Sequence, residues 1–478
     1  MAEKQYTAFI KRLNALKQSA KSNHAWGMSR RDFLHMAGIG ATAIAISKFV
    51  PKVRAQSPKT IIVIGAGASG IAAANELHYA GHSVIVLEAR DRIGGRVWTD
   101  TRLDNTPLDL GASWIHGITG NPIWNLAQEY GITTRPTDYD DTLLYTPTGD
   151  EADSDTIDNL LDELLSAIDT LRQDLDTDTS LRDIVNQAIN ELDIADATRT
   201  ALEAALMVSI ENEYGNSLEG LSAYYWDESD EFDGVDVVFP NGYGEVFAKL
   251  AEGLDIRLNQ VVTEIKYTAD AGVTLITANE RFSADKVILT VPLGVLKRDT
   301  IAFSPPLPQN KQTAINRLAM GALNKVYLLF NTVFWDEEAQ FFDINDARVG
   351  FVDWINFYPL TNKPILMAFY SGREQSRLEA LSEDAIIAEA LGVLGDLFDG
   401  VSESFVRGIA TRWGQDPFAY GSYSSYGVGS EPSDREALAE SLGGVLYFAG
   451  EATRIDHPGT VHGAVWSGWA VAETILGE

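Results

Sequence analysis

Cysteine is absent from all 478 residues. That excludes a disulfide framework, a thiol nucleophile and any metal site built on thiolates. Long apolar runs are lacking too. The weakly apolar stretch 37–46 is too short to span a bilayer comfortably. Positive charge is in short supply, with 37 Lys and Arg against 68 Asp and Glu and a net charge of −31. Such a surface repels nucleic acid and anionic membrane and attracts cations. Solubility or salt adaptation is the other reading of the same charge. What is present suffices for folding: 45% of residues are hydrophobic, enough for two domains with real cores and against general disorder.

The first 55 residues are of a different kind. Ser29, Arg30, Arg31, Asp32, Phe33 and Leu34 form a twin-arginine sequence, and Val53-Arg54-Ala55 is a small-residue cleavage site. Together with a long basic lead over residues 1–28, they predict a twin-arginine export signal and a periplasmic or extracytoplasmic protein. No stable membrane insertion is expected after its removal. A basic amphipathic leader or an uncleaved anchor is the alternative. Residues 1–55 hold ten Lys/Arg and two acids, so the remainder carries 27 bases and 66 acids, a charge of −39.

The stretch "TIIVIGAGASGIAAANELHYAGHSVIVLEARDRIGGRVWT" (60–99) carries the most chemistry. Its apolar, β-branched run 61–64 predicts a buried parallel strand. Gly65, Gly67 and Gly70 follow as G-x-G-x-x-G, permitting a tight turn, close approach of backbone to a pyrophosphate, and close helix packing. The following helix offers free N–H groups at its start, and Gly81 is a plausible C-cap. Residues 84–87 predict a second strand, ending in Glu88, a carboxylate placed to accept ribose hydroxyls. An acid there disfavours NADP. Glycines alone do not separate NAD from FAD. Arg90, Arg92, Gly94, Gly95 and Arg96 add a second glycine pair flanked by arginines, which supplies further donors for a pyrophosphate.

Further along, the acidic segment 137–179 holds leucines at helical spacing. Residues 181–189 and 198–210 predict more helix, 256–267 one alternating strand, and 287–291, 323–330, 365–370 and 445–448 further strands. Helices are expected over 310–318, 382–397 and 462–476.

The "ARDRIGGR" signature resembles that of the flavin amine oxidases. "DLGASWIHG" (109–117), "NKVYLLF" around Lys325, "RWGQDPFAYGSYS" (412–424) and "GEATRIDHPGTVHGAVWSG" (450–468) resemble the polyamine oxidases in particular. The family also includes lysine-specific histone demethylases and monoamine oxidases, and the resemblance runs from about residue 59 to the C-terminus. It implies an α/β chain with a Rossmann-like FAD-binding domain (56–140, 236–297 and 404–478) and an α+β substrate domain (141–235 and 298–403), both discontinuous.

The same resemblance implies site residues. Cofactor contacts are expected from Gly65, Gly67, Ala68, Ser69 and Gly70, and from Glu88, Ala89, Arg90, Gly95 and Arg96. Gly111, Ala112, Ser113, Trp114, Val262 and Trp413 follow, then Gly450, Glu451, Thr460 and Val461. Lys325 is expected to hold a water against the flavin. His116 is expected beside an inner substrate amine, and Tyr423 as one wall of an aromatic cage. Thr460 stands where monoamine oxidases carry the second cage tyrosine, which opens the cage to longer substrates. Thr453 joins the second cofactor contact, and Trp466 is left as pocket or core.

Without cysteine the FAD is expected to be non-covalent, and no metal is expected. The implied reaction is oxidation of an amine C–N bond, in a substrate such as spermidine or spermine. Hydride passes to flavin N5, and aldehyde, amine and hydrogen peroxide result, with oxygen as acceptor. The alternatives are a monoamine, cyclic alkylamine or L-amino acid oxidase, for which Arg373, Arg377 and Arg412 are candidate carboxylate partners. A non-catalytic partner-binding module is a third.

Overall fold

The computed structural model describes residues 58–139, 141–192 and 194–478. The twin-arginine sequence and its cleavage site lie outside the described residues. A five-stranded parallel sheet forms the first layer. Its strands are β1 (Thr60–Ile64), β2 (Ser83–Leu87), β3 (Asp255–Arg257), β4 (Lys286–Leu289) and β5 (Leu446–Phe448). The order is β5-β4-β1-β2-β3, with Ile64 beside both Leu87 and Leu289. Strands buried on both faces need long apolar runs, and β1 and β4 supply them after their first residues, Thr60 and Lys286.

Helix α1 (Ala68–Tyr79) and helix α2 (Val461–Gly477) pack together on one face. Their contact is close because Gly468 lacks a side chain: a Cβ there would lie 2.2 Å from the Ser69 carbonyl oxygen. Ser69 and Ser467 hydroxyls meet at 3.0 Å across the same seam. The C-cap falls on Ala80, and the expected cap Gly81 follows it at φ +91°.

The expected single strand over 256–267 is two strands in two sheets. β3 closes the parallel sheet, while Val262–Thr268 enters a four-stranded sheet with Gly272–Thr277, Arg281–Ala284 and Ala302–Ser304. The break has a physical cause. Asn259 takes a left-handed φ of 59°, and the Asn259 and Gln260 N–H groups donate to the Arg90 and Glu88 carbonyls. The chain leaves one sheet there to wrap the end of β2.

A six-stranded sheet builds the second part. Its order runs Phe405–Ala410, Asn324–Phe330, Ile365–Tyr370, Asp353–Asn356, Phe341–Ile344 and Thr142–Tyr145. Two domain boundaries therefore move. Phe405–Ala410 pairs with Asn324–Phe330, so the second part extends past residue 403. Ala302–Ser304 pairs with Val262–Thr268, so the first part extends past 297. The acidic segment supplies an unexpected edge strand, Thr142–Tyr145, and then the amphipathic helix Asp155–Gln173. Helices Leu181–Glu191 and Asp196–Leu206 complete the cluster, and the last runs into a π-helical turn, Met207–Asn212.

Candidate active site

The two glycine loops lie side by side. Gly67 and Gly94 form a backbone bridge, and a Cβ on Gly95 would sit 3.3 Å from Gly67 Cα. A Cβ on Gly70 would overlap the Gly65 carbonyl oxygen at 2.0 Å, so α1 starts hard against the turn. No side chain caps α1, which leaves its first N–H groups for a ligand. At the end of β2 the buried Glu88 accepts the Ala66 N–H at 2.7 Å and the Arg90 N–H at 2.8 Å. Glu88 also lines the cavity described below. This cradle fits a dinucleotide.

The flanking arginines divide their duties. Arg90 makes a bidentate pair with Asp416, at 2.8 and 2.6 Å. Its charge is committed there. Arg92 stacks on Trp98 at 4.3 Å, and burial pulls it down to about 10. Arg96 donates to the Ser422 carbonyl and to Glu451, both at 2.8 Å.

Glu451 is a hub. Besides Arg96 it accepts the Ser424 hydroxyl at 2.6 Å and the Gly459 N–H at 3.1 Å. It thereby ties the glycine loop to the strand carrying Tyr423 and to the turn carrying Thr460. Arg435, wholly buried, backs this hub through the Ser424 hydroxyl at 2.8 Å. Burial pushes Glu451 up, but Arg96, Ser424 and Arg435 hold its carboxyl below the usual range.

Lys325 is buried in the strand Asn324–Phe330 and reaches across to the loop 109–113. Its Nζ donates to the Asp109 carbonyl at 2.9 Å, the Gly111 carbonyl at 2.7 Å and the Ser113 hydroxyl at 2.5 Å. Trp114 and Phe369 rings flank it at 5.6 and 5.7 Å. Burial pulls the ammonium down to about 7, against the opposing charge of Asp109. All three ammonium hydrogens are thus directed at protein oxygens, so a water on Lys325 would take one of these places. Trp413 grips the same loop, its indole N–H donating to the Leu110 carbonyl at 2.9 Å.

One cavity of about 930 Å³ joins these features. Val262 and Ala89 line its far end near Glu88, and Ala112, Trp114, Gly450 and Val461 line its middle. Tyr423 and Thr460 both face it. Tyr423 Oη donates to the Asn212 and Glu213 carbonyls at 2.7 and 3.0 Å, which fixes the ring. Those carbonyls lie at the end of the π-helical turn, where regular bonding lapses. Thr460 caps α2, its hydroxyl accepting the Gly463 N–H at 2.9 Å. His116 lies on the wall, its Nδ1 2.7 Å from Asp236.

Sequence reading alone missed part of this wall. Asp236 and Glu213 lie in acidic stretches that read as general surface charge. Asp343 and Asp353 face each other in adjacent antiparallel strands and both line the cavity. Asn212 donates to Asp353 at 2.9 Å. Burial and the like charge of Asp353 raise Asp343 well above the carboxylate range, and burial raises Asp353 to about 6. An acid two positions from an apolar residue on the same strand face, Asp343 beside Phe341 in "FFDI" and Asp353 beside Ile355 in "VDWI", was the available signal. Arg373, Arg377 and Arg412 do not line the cavity. Arg373 pairs with Glu203 and Glu211, and Arg377 with Glu374 and Glu389.

A dinucleotide cradle opening into an acid-walled cavity under an aromatic ring defines a class of amine-handling flavoprotein, and comparison with known proteins agrees. The chain belongs to the flavin-containing amine oxidoreductase family, whose model matches residues 68–476. It is 34% identical to polyamine oxidase 4 of Oryza sativa subsp. japonica over 436 residues, covering 87% of this chain and 88% of that one. It is 36% identical to lysine-specific histone demethylase 1 homolog 1 of Arabidopsis thaliana over 442 residues, 88% of this chain. The chain spans about half of that demethylase, 52%. Among solved structures, putrescine oxidase bound to putrescine superposes with a TM-score of 0.72 at 25% identity, over 88% of this chain and 100% of that one.

Proposed function

We propose that this protein is an FAD-dependent amine oxidase whose substrate is a polyamine such as spermidine or spermine. The observation that carries the reading is the wall of the cavity. Glu213, Asp236, Asp343 and Asp353 line the same space as Lys325, Tyr423 and the glycine cradle. A long polycation would place several ammonium groups against Glu213, Asp236 and Asp353 and would favour loss of the Asp343 proton, whereas a small arylalkyl amine has one charge for the whole wall.

Gly67, Gly95, Glu88, Arg96 and the start of α2 would hold the cofactor without a covalent bond. A bound flavin supplies the two-electron acceptor for the amine carbon. Overall, amine, water and oxygen become aldehyde, a shorter amine and hydrogen peroxide. The chain's own part is to bind and orient. Tyr423 offers its ring face to the reacting nitrogen, and Thr460 leaves the opposite side open. The ammonium of Lys325 sets positive charge beside the loop 109–113 and favours a more negative reduced cofactor. An amino acid substrate would need a cationic partner at the acidic wall, and none of the three candidate arginines supplies one. We further propose export by the twin-arginine route, on the sequence signal alone.

Oxygen uptake by the purified, flavin-loaded protein decides the matter. Putrescine, spermidine, spermine, tyramine and a set of L-amino acids serve as substrates. Fastest turnover with the triamine or tetramine is expected. Faster turnover of tyramine or of an amino acid would overturn the reading.

A further inference from the structure

Asp236 holds His116 in one particular state. Its Oδ2 lies 2.7 Å from His116 Nδ1 and accepts Tyr139 Oη at 3.2 Å, while its Oδ1 accepts the Gly117 N–H at 2.8 Å. Three donors on two oxygens fix the plane of the carboxylate. A carboxylate only accepts, so Nδ1 carries a hydrogen whether the ring is charged or not. The exchangeable position is therefore Nε2, which makes no hydrogen bond to a described residue. The side chain is 54% exposed although protein surrounds it, because the surface it shows is cavity surface.

We propose that Asp236, steadied by Tyr139, is the positioning residue that makes His116 the proton acceptor for the ammonium of a bound amine. This rests on the amine-oxidising reading above. A protonated amine has no lone pair with which to expel hydride from its neighbouring carbon, so a proton must leave first. In the step, a substrate N–H bond breaks and its electron pair stays on nitrogen. A bond from Nε2 to that proton forms, and the imidazolium then passes the proton to cavity water. Before transfer the His116–Asp236 pair carries one negative charge and attracts the ammonium. After transfer the pair is neutral.

The groups facing His116 agree in sign. Burial pushes the ring down, but Asp236, Glu213 and Glu231 together raise it above its ordinary value. His462, at the start of α2, is pushed well below its ordinary value by burial and by the neighbouring His457 and His116, and so stands as a neutral ring beside them.

The test compares Asp236→Asn with the flavin-loaded parent. His116→Asn assigns one of seven histidine ring signals by NMR, and that signal is titrated in the resting protein. Asp236→Asn should lower the His116 midpoint by about 1 to 3 pH units, since the charged partner goes and burial stays. The acid limb of kcat/KM for spermidine should move down in pH with it. Asp236→Glu, which keeps the charge, should keep both near the parent's. Asp236→Ser makes the same comparison if the amide variant does not fold. An unmoved midpoint overturns the positioning role. A moved midpoint with an unmoved limb overturns the proton-acceptor role. Because the titration needs no turnover, a protein that oxidises no amine fails the functional reading while this geometry is still measured.

Discussion

Lys325 is held by three oxygens, and that number shapes what its loss would do. Lys325→Met removes the charge and takes the lysine's donation from the Gly111 carbonyl and the Ser113 hydroxyl, while the Asp109 carbonyl keeps the Tyr327 hydroxyl at 2.8 Å. An unsatisfied buried group costs about 1–3 kcal/mol. The variant should therefore unfold at lower denaturant concentration as well as slow flavin reduction or reoxidation by about a hundredfold, near 3 kcal/mol of electrostatic stabilisation. Stopped-flow rates within twofold of the parent, with stability alone reduced, would make Lys325 a loop anchor only. The Asp343–Asp353 pair predicts the opposite sign for stability. Asp353 is raised from 3.8 to about 6 by burial. A carboxyl raised in the folded state favours the fold at acid pH, and this is lost as pH climbs from about 4 through 6. Above pH 7, without polyamine, Asp353→Asn should thus stabilise the protein, by up to about 3 kcal/mol, while raising KM for spermine. Chemical denaturation at pH 5 and pH 8 checks the sign. Lys325, Glu88 and Tyr423 were legible in the sequence because each sits in a motif. Asp236 and Asp353 were not, since their meaning comes from a facing residue, 120 positions distant for His116 and Asp236.

At the scale of elements, the seam between α1 and α2 is set by the absence of a side chain at Gly468. Gly468→Ala would push its Cβ against the Ser69 carbonyl, 2.2 Å away, and move α1 relative to the cradle. The expected outcome is a protein of unchanged helix content that retains less flavin, seen as a lower ratio of visible flavin to protein absorbance. Full occupancy would show that the seam relaxes without disturbing the site. β1, α1 and β2 were plain in the sequence because hydrophobic period, glycine turn and cap all point the same way. The division at residues 258–261 was hidden, because the alternating pattern continues through a break made by Asn259. Likewise Thr142–Tyr145 sits in an acidic stretch and becomes a strand through its pairing with Phe341–Ile344, a tertiary effect that propensity does not report.

The molecule as a whole is strongly negative, and its proposed substrate is positive. Capture should therefore weaken as salt shortens the screening length to ~8 Å near 0.15 M. kcat/KM for spermidine should fall as sodium chloride rises, with kcat changing less, and a monocationic amine should show a shallower slope. Equal slopes would assign the acidity to solubility. The parallel sheet has another consequence, one of timing. β4 finds its outer neighbour only in β5, and Leu446 follows Thr60 by 386 residues. At about 5–20 residues per second on the ribosome, roughly 20–80 s separate the synthesis of β1 from that of β5. Through that interval the nascent chain carries a glycine turn beside an unfinished sheet, and for its last part, the 157 residues from Leu289 to Leu446, one edge of β4 is bare. The sheet that carries the cradle is therefore complete only once β5 has been made.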